Sequence, residues 1–431
     1  MIDKKFLKSL PVCAMAMAVL ASGTLQAQSL TTATRLPGKV HILPATLETT
    51  QWGWFDNAQA PVLKVDSGDT VVMETMMHSH NQVVPGKTIE ELKKLRTDNP
   101  GRGPHTLTGP IYVNGAEPGD VLKVRINRIV PRAYATNFNL PGMFGQFPND
   151  FQEGQVKYLY LDMERKVAEF LPGIEIPLNP FPGTLGVARA APGQYSSVPP
   201  GEYGGNMDIR ELIEGTTLYV PVWVKGALLW SGDSHAAQGN GEVNLTALET
   251  AYKELNITVE VLKNAKLDMP RIETKAHWIT MGFDKDLNLA WDAAKAETVK
   301  YIQEQRKTTL EAALRDMPAI SDCRVSQVVN IKKGIHCMTP KNVKVKAMPE
   351  HPMAETRESY VTVGQDADAN KAMDKASMSM IVLIQQKKGL SSLDAYGLAS
   401  AAMDCRVGDM TAAQKSIHCL MPKSLWVSAK K

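Results

Sequence analysis

The sequence has no excess of charge of either sign, and it is poor in cysteine and histidine. Its 431 residues include 48 basic and 45 acidic side chains, five cysteines and nine histidines. A formal net charge of +3 favours neither a nucleic acid nor an anionic membrane surface as a partner. A chain of this length is too long for one compact core, so we expect two or three domains.

Several short motifs of hydrolases and cofactor-binding proteins are also absent. The chain has no HExxH, no GxGxxG and no GxSxG nucleophile elbow. Ser196 and Ser197 lack a glycine- and serine-rich surround, which argues against a Ser-Ser-Lys amidase. Cys13 lies in the N-terminal segment 1–27, which has the pattern of a cleaved signal peptide. Four cysteines remain without it, and if these are bridged, no cysteine is left as a nucleophile.

The N-terminus has the pattern of a secretory signal peptide. Three lysines precede an apolar run from about Val12 to Ala21, and LQA at 25–27 fits a cleavage site. The run is about half of the ~20 residues that a membrane span needs, and no later segment is long enough. The sequence therefore predicts a signal peptide at 1–27 and a periplasmic or secreted mature chain.

Two segments near the C-terminus repeat each other. DCRVSQVVNIKKGIHCMTPKNV begins at Asp322 and DCRVGDMTAAQKSIHCLMPKSL at Asp404, and ten residues recur at a constant offset of 82 positions. A helical segment precedes each, at 284–316 and 371–403, where LEAA and LDAY align with a one-residue slip. We interpret this as a duplicated unit of helix, helix and hairpin.

The four cysteines are distributed evenly between the two copies. Each copy has a pair 14 positions apart, so we favour Cys323 with Cys337 and Cys405 with Cys419. A bridge that closes a loop of this size contributes on the order of 3 kcal/mol. Pairing across the copies is the alternative if the hairpins pack face to face. A metal site built from the cysteines is a weaker one, because no CxxC spacing is present.

The first 283 residues have the pattern of short strands separated by turns rich in Gly and Pro. VLKVDSGDTVVMET from Val62 and TLYVPVWVKGALLWSGD from Thr217 are examples. One helix interrupts them at Ile89–Leu95, with Thr88 and Glu91 as a capping box. We predict a mainly β protein: a β-sandwich or barrel-like core with an α+β C-terminal region.

Four histidines are candidates for a functional site, namely His78, His80, His105 and His235. They lie in segments that end strands or enter loops, where a β scaffold presents functional groups. The other five are assigned structural roles.

The stretch GDSHAAQGNGEV, residues 232–243, concentrates polar side chains. Asp233 and His235, two positions apart, lie on the same side of an extended segment and can share a metal. The glycines that follow allow Glu242 to turn back toward them. Asn240-Gly241 is equally a hairpin turn without chemistry, so spacing alone leaves both interpretations open.

Three long stretches resemble the acetamidase/formamidase family. They are WGWFDNAQAPVLKVDSGDTV from Trp52, HTLTGPIYVNGAEPGDVLKV from His105, and GGNMDIRELIEGTTLYVPVWVKGALLWSGDSHAAQGNGEV from Gly204. The resemblance covers about 41–345. It implies a β-rich fold, hydrolysis of small linear amides to ammonia and a carboxylate, and a divalent metal, with zinc as the leading candidate.

The resemblance also assigns positions. The family's GDxHxxxGxGE and GGNxD patterns fall on Gly232, Asp233, His235, Gly239, Gly241 and Glu242, and on Gly204, Gly205, Asn206 and Asp208. His105 stands before the family's TGP segment, where other members can carry asparagine.

The strand pattern, the repeat and the resemblance together divide the chain. We expect an amidase core at 28–283 and, at 284–345, the unit that completes the family domain, followed by a linker at 346–370 and the second copy at 371–431. The second copy lies outside the family's usual form, and we expect it to cap an edge or to serve assembly. A homo-oligomer is one possible state.

These assignments give a mechanistic hypothesis. Zn²⁺ held by Asp233, His235 and either His80 or His105 would polarise the amide carbonyl and activate a water molecule. Glu242 would carry the proton to the leaving nitrogen, and Asn206 would donate a hydrogen bond to the oxyanion. The sequence does not distinguish the roles of Glu242, Asp233 and Asp208 from one another, and Glu242 is either the base or a ligand. Two alternatives stay open: a lactam or larger amide as substrate, and a secreted binding protein without catalysis.

Overall fold

The structure is a computed structural model, and it describes residues 38–341 and 356–427. The signal peptide predicted at 1–27 and the first part of the linker predicted at 346–370 lie outside the described residues. None of the described helices is long and apolar enough to cross a membrane.

Twenty strands precede the first long helix. They are β1 (Val40–Leu43), β2 (Thr50–Trp52), β3 (Trp54–Asp56), β4 (Leu63–Val65), β5 (Thr70–Met73), β6 (Thr106–Val113), β7 (Val121–Pro131), β8 (Tyr134–Phe138), β9 (Val156–Asp162), β10 (Val167–Leu171), β11 (Ile174–Pro177), β12 (Phe181–Val187), β13 (Gln194–Ser196), β14 (Gly204–Asn206), β15 (Thr217–Pro221), β16 (Leu229–His235), β17 (Glu249–Thr250), β18 (Tyr252–Leu262), β19 (Arg271–Glu273) and β20 (His277–Asp284).

Two short helical segments lie among these strands, α1 (His78–Asn81) and α2 (Ile89–Thr97). The capping box predicted for α2 is confirmed: the Thr88 side chain accepts from the Glu91 backbone N–H, and the Glu91 side chain accepts from that of Thr88. The remaining elements are α3 (Leu287–Arg306), α4 (Leu310–Ile320), β21 (Asp322–Gln327), β22 (Lys333–Pro340), β23 (Ser359–Asp366), α5 (Ala369–Lys388), α6 (Ser392–Ala402), β24 (Asp404–Val407), β25 (Lys415–Pro422) and a 3-10 helix at Lys423–Leu425.

Most strands belong to two large sheets. The first has the order β1-β5-β18-β7-β15-β19-β20-β22-β21-β24-β25-β23. The second has the order β11-β10-β9-β8-β17-β16-β12-β14, with β6 beside β16 and with β2 and β4 beside β6. Buried side chains of both sheets, such as Ile126 of β7 and Trp230 of β16, share one hydrophobic core. The prediction of a mainly β, sandwich-like core is confirmed.

The duplicated unit is larger than the sequence indicated, because a strand precedes the helices in each copy. The elements β20, α3, α4 and β22 recur as β23, α5, α6 and β25 at a constant offset of 82 positions. The expected one-residue slip between LEAA and LDAY is therefore wrong. Strand β23 occupies part of the segment 346–370 that had the composition of a linker, and alternate residues of this strand are buried.

The two copies meet edge to edge. The order β20-β22-β21 of the first copy continues as β24-β25-β23, its mirror image. The central strands pair antiparallel at Arg324 and Arg406, which are equivalent positions of the repeat. Antiparallel pairing of equivalent residues is the geometry of a local two-fold axis. The second copy thereby covers the strand edge that the first copy would expose.

Each copy also contains its own disulfide. Cys323 is bonded to Cys337, and Cys405 to Cys419. Both bridges join directly opposite residues of a hairpin. The structure thus contains the pairing that the spacing favoured, within the copies and not across them.

A glycine in the first strand of each copy lets the long helix approach closely. A Cβ on Gly282 of β20 would collide with the backbone nitrogen of Ala294 in α3, and one on Gly364 of β23 with the backbone oxygen of Ala372 in α5. Because the obstacle is helix backbone, a side chain at either position forces the helix away from its strand.

The variant Gly364→Val tests this packing. It should lower the free energy of unfolding by at least the roughly 1–3 kcal/mol that overpacking a core costs. Denaturant unfolding followed by circular dichroism measures the change. Gln365→Val is the matched control, because Gln365 is exposed on the same strand, and it should stay within about 0.5 kcal/mol of the unmodified chain. Equal stability of the two variants would contradict the packing argument.

Candidate functional site

Strand β16 brings Asp233 and His235 to the centre of the molecule. Every residue of this strand is buried, because β12 and β6 pair with it on its two edges. Asp233 Oδ1 lies 3.3 Å from His235 Nε2. The expectation that these two side chains act on the same side of the strand agrees with this distance.

Two further histidines and one acid surround Asp233. His78 Nε2 lies 2.9 Å and His105 Nε2 3.7 Å from Asp233 Oδ1. Glu249 of β17 places its Oε2 3.1 Å from His235 Nε2 and 3.4 Å from His78 Nε2. All five side chains are buried.

The remaining acids predicted for the site lie on the far side of His235. Its Nδ1 is 3.8 Å from Asp208 Oδ1. Glu242 joins this pair, since ligand atoms of Asp208, His235 and Glu242 all lie within 4.8 Å of one another. Glu242 has thus turned back toward β16, as the glycines around it suggested.

The backbone is strained at three of the acids. Asp208, Asp233 and Glu242 have φ values of 49°, 51° and 48°, a left-handed conformation that costs a non-glycine residue on the order of 1–3 kcal/mol. Such strain persists only where surrounding structure imposes it. Three such residues within one buried cluster make it a candidate functional site.

A glycine opposite Asp233 makes room for the carboxylates. A Cβ on Gly183 of β12 would lie 2.5 Å from Asp208 Oδ1, 2.7 Å from Asp233 Oδ2 and 2.6 Å from His235 Cε1. The absent side chain is therefore what lets the two acids and the imidazole approach one another.

Crowding of like charges sets the ionisation of the acids. Burial, and after it Asp233, raise the pKa of Asp208 well above its ordinary value. Burial and then Asp208 do the same to the pKa of Glu242. Burial also works against the ionised form of Asp233, but His105 and His235 hold its pKa well below the ordinary value. One ionised carboxylate therefore lies beside two that resist ionisation.

The pKa values of the histidines are likewise shifted in opposite directions. Burial lowers the pKa of His105 to about 4, so its ring is neutral at pH 7. Burial also favours the neutral forms of His78 and His235, but Glu249 and Asp233 outweigh it and raise both pKa values. A bound dication would reverse this balance, because metal ligation needs the neutral imidazole.

The donor atoms fit a divalent metal. His78 Nδ1, His235 Nδ1 and Asp208 Oδ1 are buried without a hydrogen-bond partner among the described residues. Nitrogen and carboxylate oxygen are ligands that Zn²⁺ accepts. Three sets of ligand atoms lie within 4.8 Å: His78, His105 and Asp233; Asp208, His235 and Glu242; Asp233, His235 and Glu249.

Of the neighbouring pair of histidines, the structure brings His78 to the cluster and not His80. Ser79 and His80 both have left-handed backbones, with φ values of 54° and 52°, so the chain turns sharply between the two rings. The ring of His80 lies 5.8 Å from that of Trp52, and His80 belongs to none of the three ligand sets.

Asn206 lies at the cavity with part of its amide already used. Its Oδ1 accepts from Thr184 Oγ1 at 2.9 Å, and its Nδ2 donates to the Val198 carbonyl at 3.0 Å. The second N–H of Nδ2 has no partner in the described part of the chain, and Asn206 is among the residues that line the cavity.

Sequence reasoning missed Glu249 and Asn330. Glu249 lies in a buried stretch beside Leu248 and Thr250, and an acid within such a β segment is a sign of a functional role. The Asn330 side-chain amide donates to Asp208 Oδ2. Asn330 lies in the turn between β21 and β22, where no local pattern distinguishes it.

Ser197 contacts His105 and does not line the cavity. Its Oγ is 2.9 Å from His105 Nδ1, and the other ring nitrogen faces Asp233, so the three residues resemble a catalytic triad in order. Ser197 is fully buried, however, whereas its neighbours Ser196 and Val198 line the cavity. The arrangement therefore favours an orienting role for Ser197.

The loop that carries Glu242 is held by both C-terminal copies. The Gly241 N–H donates to the Ser326 carbonyl of the first copy at 3.0 Å. Asn240 Nδ2 donates to Asp404 Oδ1 of the second copy at 2.7 Å. The duplicated unit thus positions the acid that faces the substrate space.

A cavity of about 320 Å³ opens onto the cluster. Asp208, Glu242 and the set of His78, His105 and Asp233 line it. Its lining also includes the apolar side chains Val83, Leu92, Leu95, Phe138, Leu140 and Phe144. A mostly apolar lining with a few polar groups is typical of small-molecule sites. A larger cleft of about 1020 Å³ is lined by none of the cluster's side chains.

Comparison with known families and sequences gives a consistent match. A sequence profile of the Acetamidase/Formamidase family matches residues 48–195 and 189–425. An acetamidase of Mycolicibacterium smegmatis is 28% identical over 37% of this chain and 54% of its own length. A formamidase of Methylophilus methylotrophus is 26% identical over 37% and 52%. The chain spans between 52% and 62% of the curated relatives it matches.

Solved structures agree with the sequence matches. Acetamidase from Bacillus halodurans has a TM-score of 0.63 and 28% identity, over 69% of this chain and 97% of that one. Acetamidase from Yersinia enterocolitica has a TM-score of 0.65 and 27% identity, over 72% and 94%. A γ-lactamase from Delftia acidovorans, 18% identical with a TM-score of 0.61, shares the fold over 88% of this chain and 90% of its own.

The variant Gly183→Ala tests the geometry of the cluster. Its methyl group would displace two carboxylates and His235, so we expect zinc retained after dialysis to fall at least tenfold, as measured by mass spectrometry of the metal. Gly334→Ala is the matched control, because its Cβ meets only side chains, at 3.1–3.2 Å. Zinc retention by Gly183→Ala equal to that of the control would contradict the arrangement.

Proposed function

The chain belongs to the acetamidase/formamidase family, and from its site we propose that it hydrolyses the C–N bond of a linear amide to ammonia and a carboxylate. The observation that carries the proposal is a buried cluster of acids and histidines that lines a cavity. We take water, activated at this cluster, as the attacking group.

Glu242 is the side chain best placed to move protons. The carboxylates of Asp208, Asp233 and Glu249 each accept at least one hydrogen bond, whereas that of Glu242 accepts none from the described residues although it lines the cavity. We assign it the role of taking a proton from water as the water oxygen bonds to the carbonyl carbon. This role requires a bound cation to hold the carboxylate ionised against the burial and the Asp208 charge that raise its pKa. It then gives that proton to the nitrogen as the C–N bond breaks, because an amide leaves poorly unless protonated.

A divalent metal, with Zn²⁺ the leading candidate, completes the site in this proposal. When bound, it supplies polarisation of the carbonyl and a lower pKa for water. His78, His105 and Asp233 would hold it, because all three line the cavity and are therefore open to substrate. His235 supports them from behind, where it contacts Asp233 and Glu249. The second N–H of Asn206 would bind the oxygen that becomes negative.

The two disulfides support an oxidising compartment. Bridges of this kind persist in oxidising surroundings, which supports a periplasmic or secreted protein.

The cavity volume supports a substrate larger than formamide, because about 320 Å³ is within the usual range of pockets for larger ligands.

The variant Glu242→Gln tests the proton transfer. Glutamine keeps the size of the side chain but cannot take a proton, so kcat should fall by about 10²–10⁴-fold while circular dichroism and thermal stability stay close to those of the unmodified enzyme. Glu90→Gln, on the exposed face of α2, is the control and should keep full activity. Unchanged turnover in Glu242→Gln would place the base elsewhere.

Removal of the metal tests the assignment of a divalent metal to the site. Chelation followed by dialysis should abolish amide hydrolysis and lower the melting temperature, because a ligand that binds only the folded state stabilises it. Added Zn²⁺ should restore both. Full activity at less than one-hundredth of an equivalent of metal would overturn the metal assignment and leave amide hydrolysis intact.

A further inference from the structure

Arg96 is a half-buried cation on the wall of the active-site cavity. It lies in the last turn of α2, beside Leu92 and Leu95, and lines the cavity together with Phe144. One N–H of its guanidinium, at Nη1, donates to the Arg102 carbonyl at 2.9 Å. The guanidinium carbon is 5.5 Å from the centre of the Phe144 ring.

No acid in the described part of the chain lies within salt-bridge distance of Arg96. Two other half-buried arginines, Arg324 and Arg271, are paired with acids. Arg324 contacts Glu211 at 2.6 Å, and Arg271 contacts Glu304 at 2.7 Å. Burial lowers the pKa of Arg96, and no neighbouring acid raises it, in contrast to Arg324, whose pKa nearby acids raise. A desolvated cation without a counter-charge is costly.

The guanidinium also has unused hydrogen-bonding capacity. It carries five N–H donors in a planar fork that matches a carboxylate, and only one of them has a hydrogen-bond acceptor among the described residues. The surrounding wall is apolar, so a ligand is the available source of both acceptors and negative charge.

The cavity is therefore lined by two polar features, the acid–histidine cluster and Arg96, together with apolar side chains. A molecule that satisfies both has an amide at one end, methylene groups in the middle and an anion at the other end. A purely neutral amide would leave Arg96 without a partner.

We propose that the substrate is a linear monoamide of a dicarboxylic acid, and that Arg96 binds its free carboxylate and thereby selects it. This inference rests on the proposed amide hydrolysis. Arg96 is a specificity-determining residue in it and takes no part in proton transfer.

The test compares pairs of amides of equal chain length. Succinamate, glutaramate and adipamate are measured against butyramide, valeramide and hexanamide with the metal-loaded full chain. In the unmodified enzyme, kcat/KM for the best acid should exceed that for its neutral partner at least tenfold. In Arg96→Met this ratio should fall by about 10- to 100-fold, as expected for loss of charge-assisted hydrogen bonds.

Two further variants control for folding and for charge. Arg102→Met removes a nearby cation that stacks on Trp52 and does not line the cavity, and it should leave the ratio unchanged. Arg96→Lys keeps the charge but loses the fork, so its ratio should lie between those of the unmodified enzyme and Arg96→Met.

The outcomes distinguish a failure of the role assigned to Arg96 from a failure of the proposed amide hydrolysis. Hydrolysis of the neutral amides with no preference for any acid, or an equal loss of both members of a pair in Arg96→Met, would overturn the assignment of Arg96 and leave amide hydrolysis standing. Failure to hydrolyse any of the six amides would overturn the proposed function and this inference with it.

Discussion

Burial of four carboxylates and three histidines in one small space is the constraint on which the rest of the structure depends. Asp208, Asp233 and Glu242 are each at most 3% exposed. Like charges so close together resist joint ionisation, and a folded chain tolerates them only where partners or a cation offset the cost. The left-handed backbone at these acids and the missing side chain at Gly183 are the local adjustments that bring them together.

The duplicated C-terminal unit helps to hold these acids in place. Its two copies form a local two-fold arrangement through β21 and β24, and both contact the loop that carries Glu242. Asn330 of the first copy holds Asp208, and Asp404 of the second holds Asn240. The second copy therefore contacts the candidate site as well as covering a sheet edge, because Glu242 of the loop that it holds lines the cavity.

Much of this could be predicted from the sequence, and the limits have physical causes. Strand patterns, the capping box of α2 and the repeat are local, so they were recognisable. Asp233 and His235 were found because two positions in a strand share a side. His78 was passed over for His80 because the turn at Ser79 depends on tertiary contacts. Glu249 and Asn330 reach the cluster from distant parts of the chain, and no local pattern encodes that approach.

The central claim is that the cluster is a divalent-metal site, and an anomalous difference map of zinc-loaded crystals tests it most directly. Data collected on both sides of the zinc absorption edge should show a peak within about 2.0–2.2 Å of a histidine nitrogen or a carboxylate oxygen, among His78, His105 and Asp233. The absence of any peak at the cluster in crystals that contain stoichiometric zinc would contradict the account.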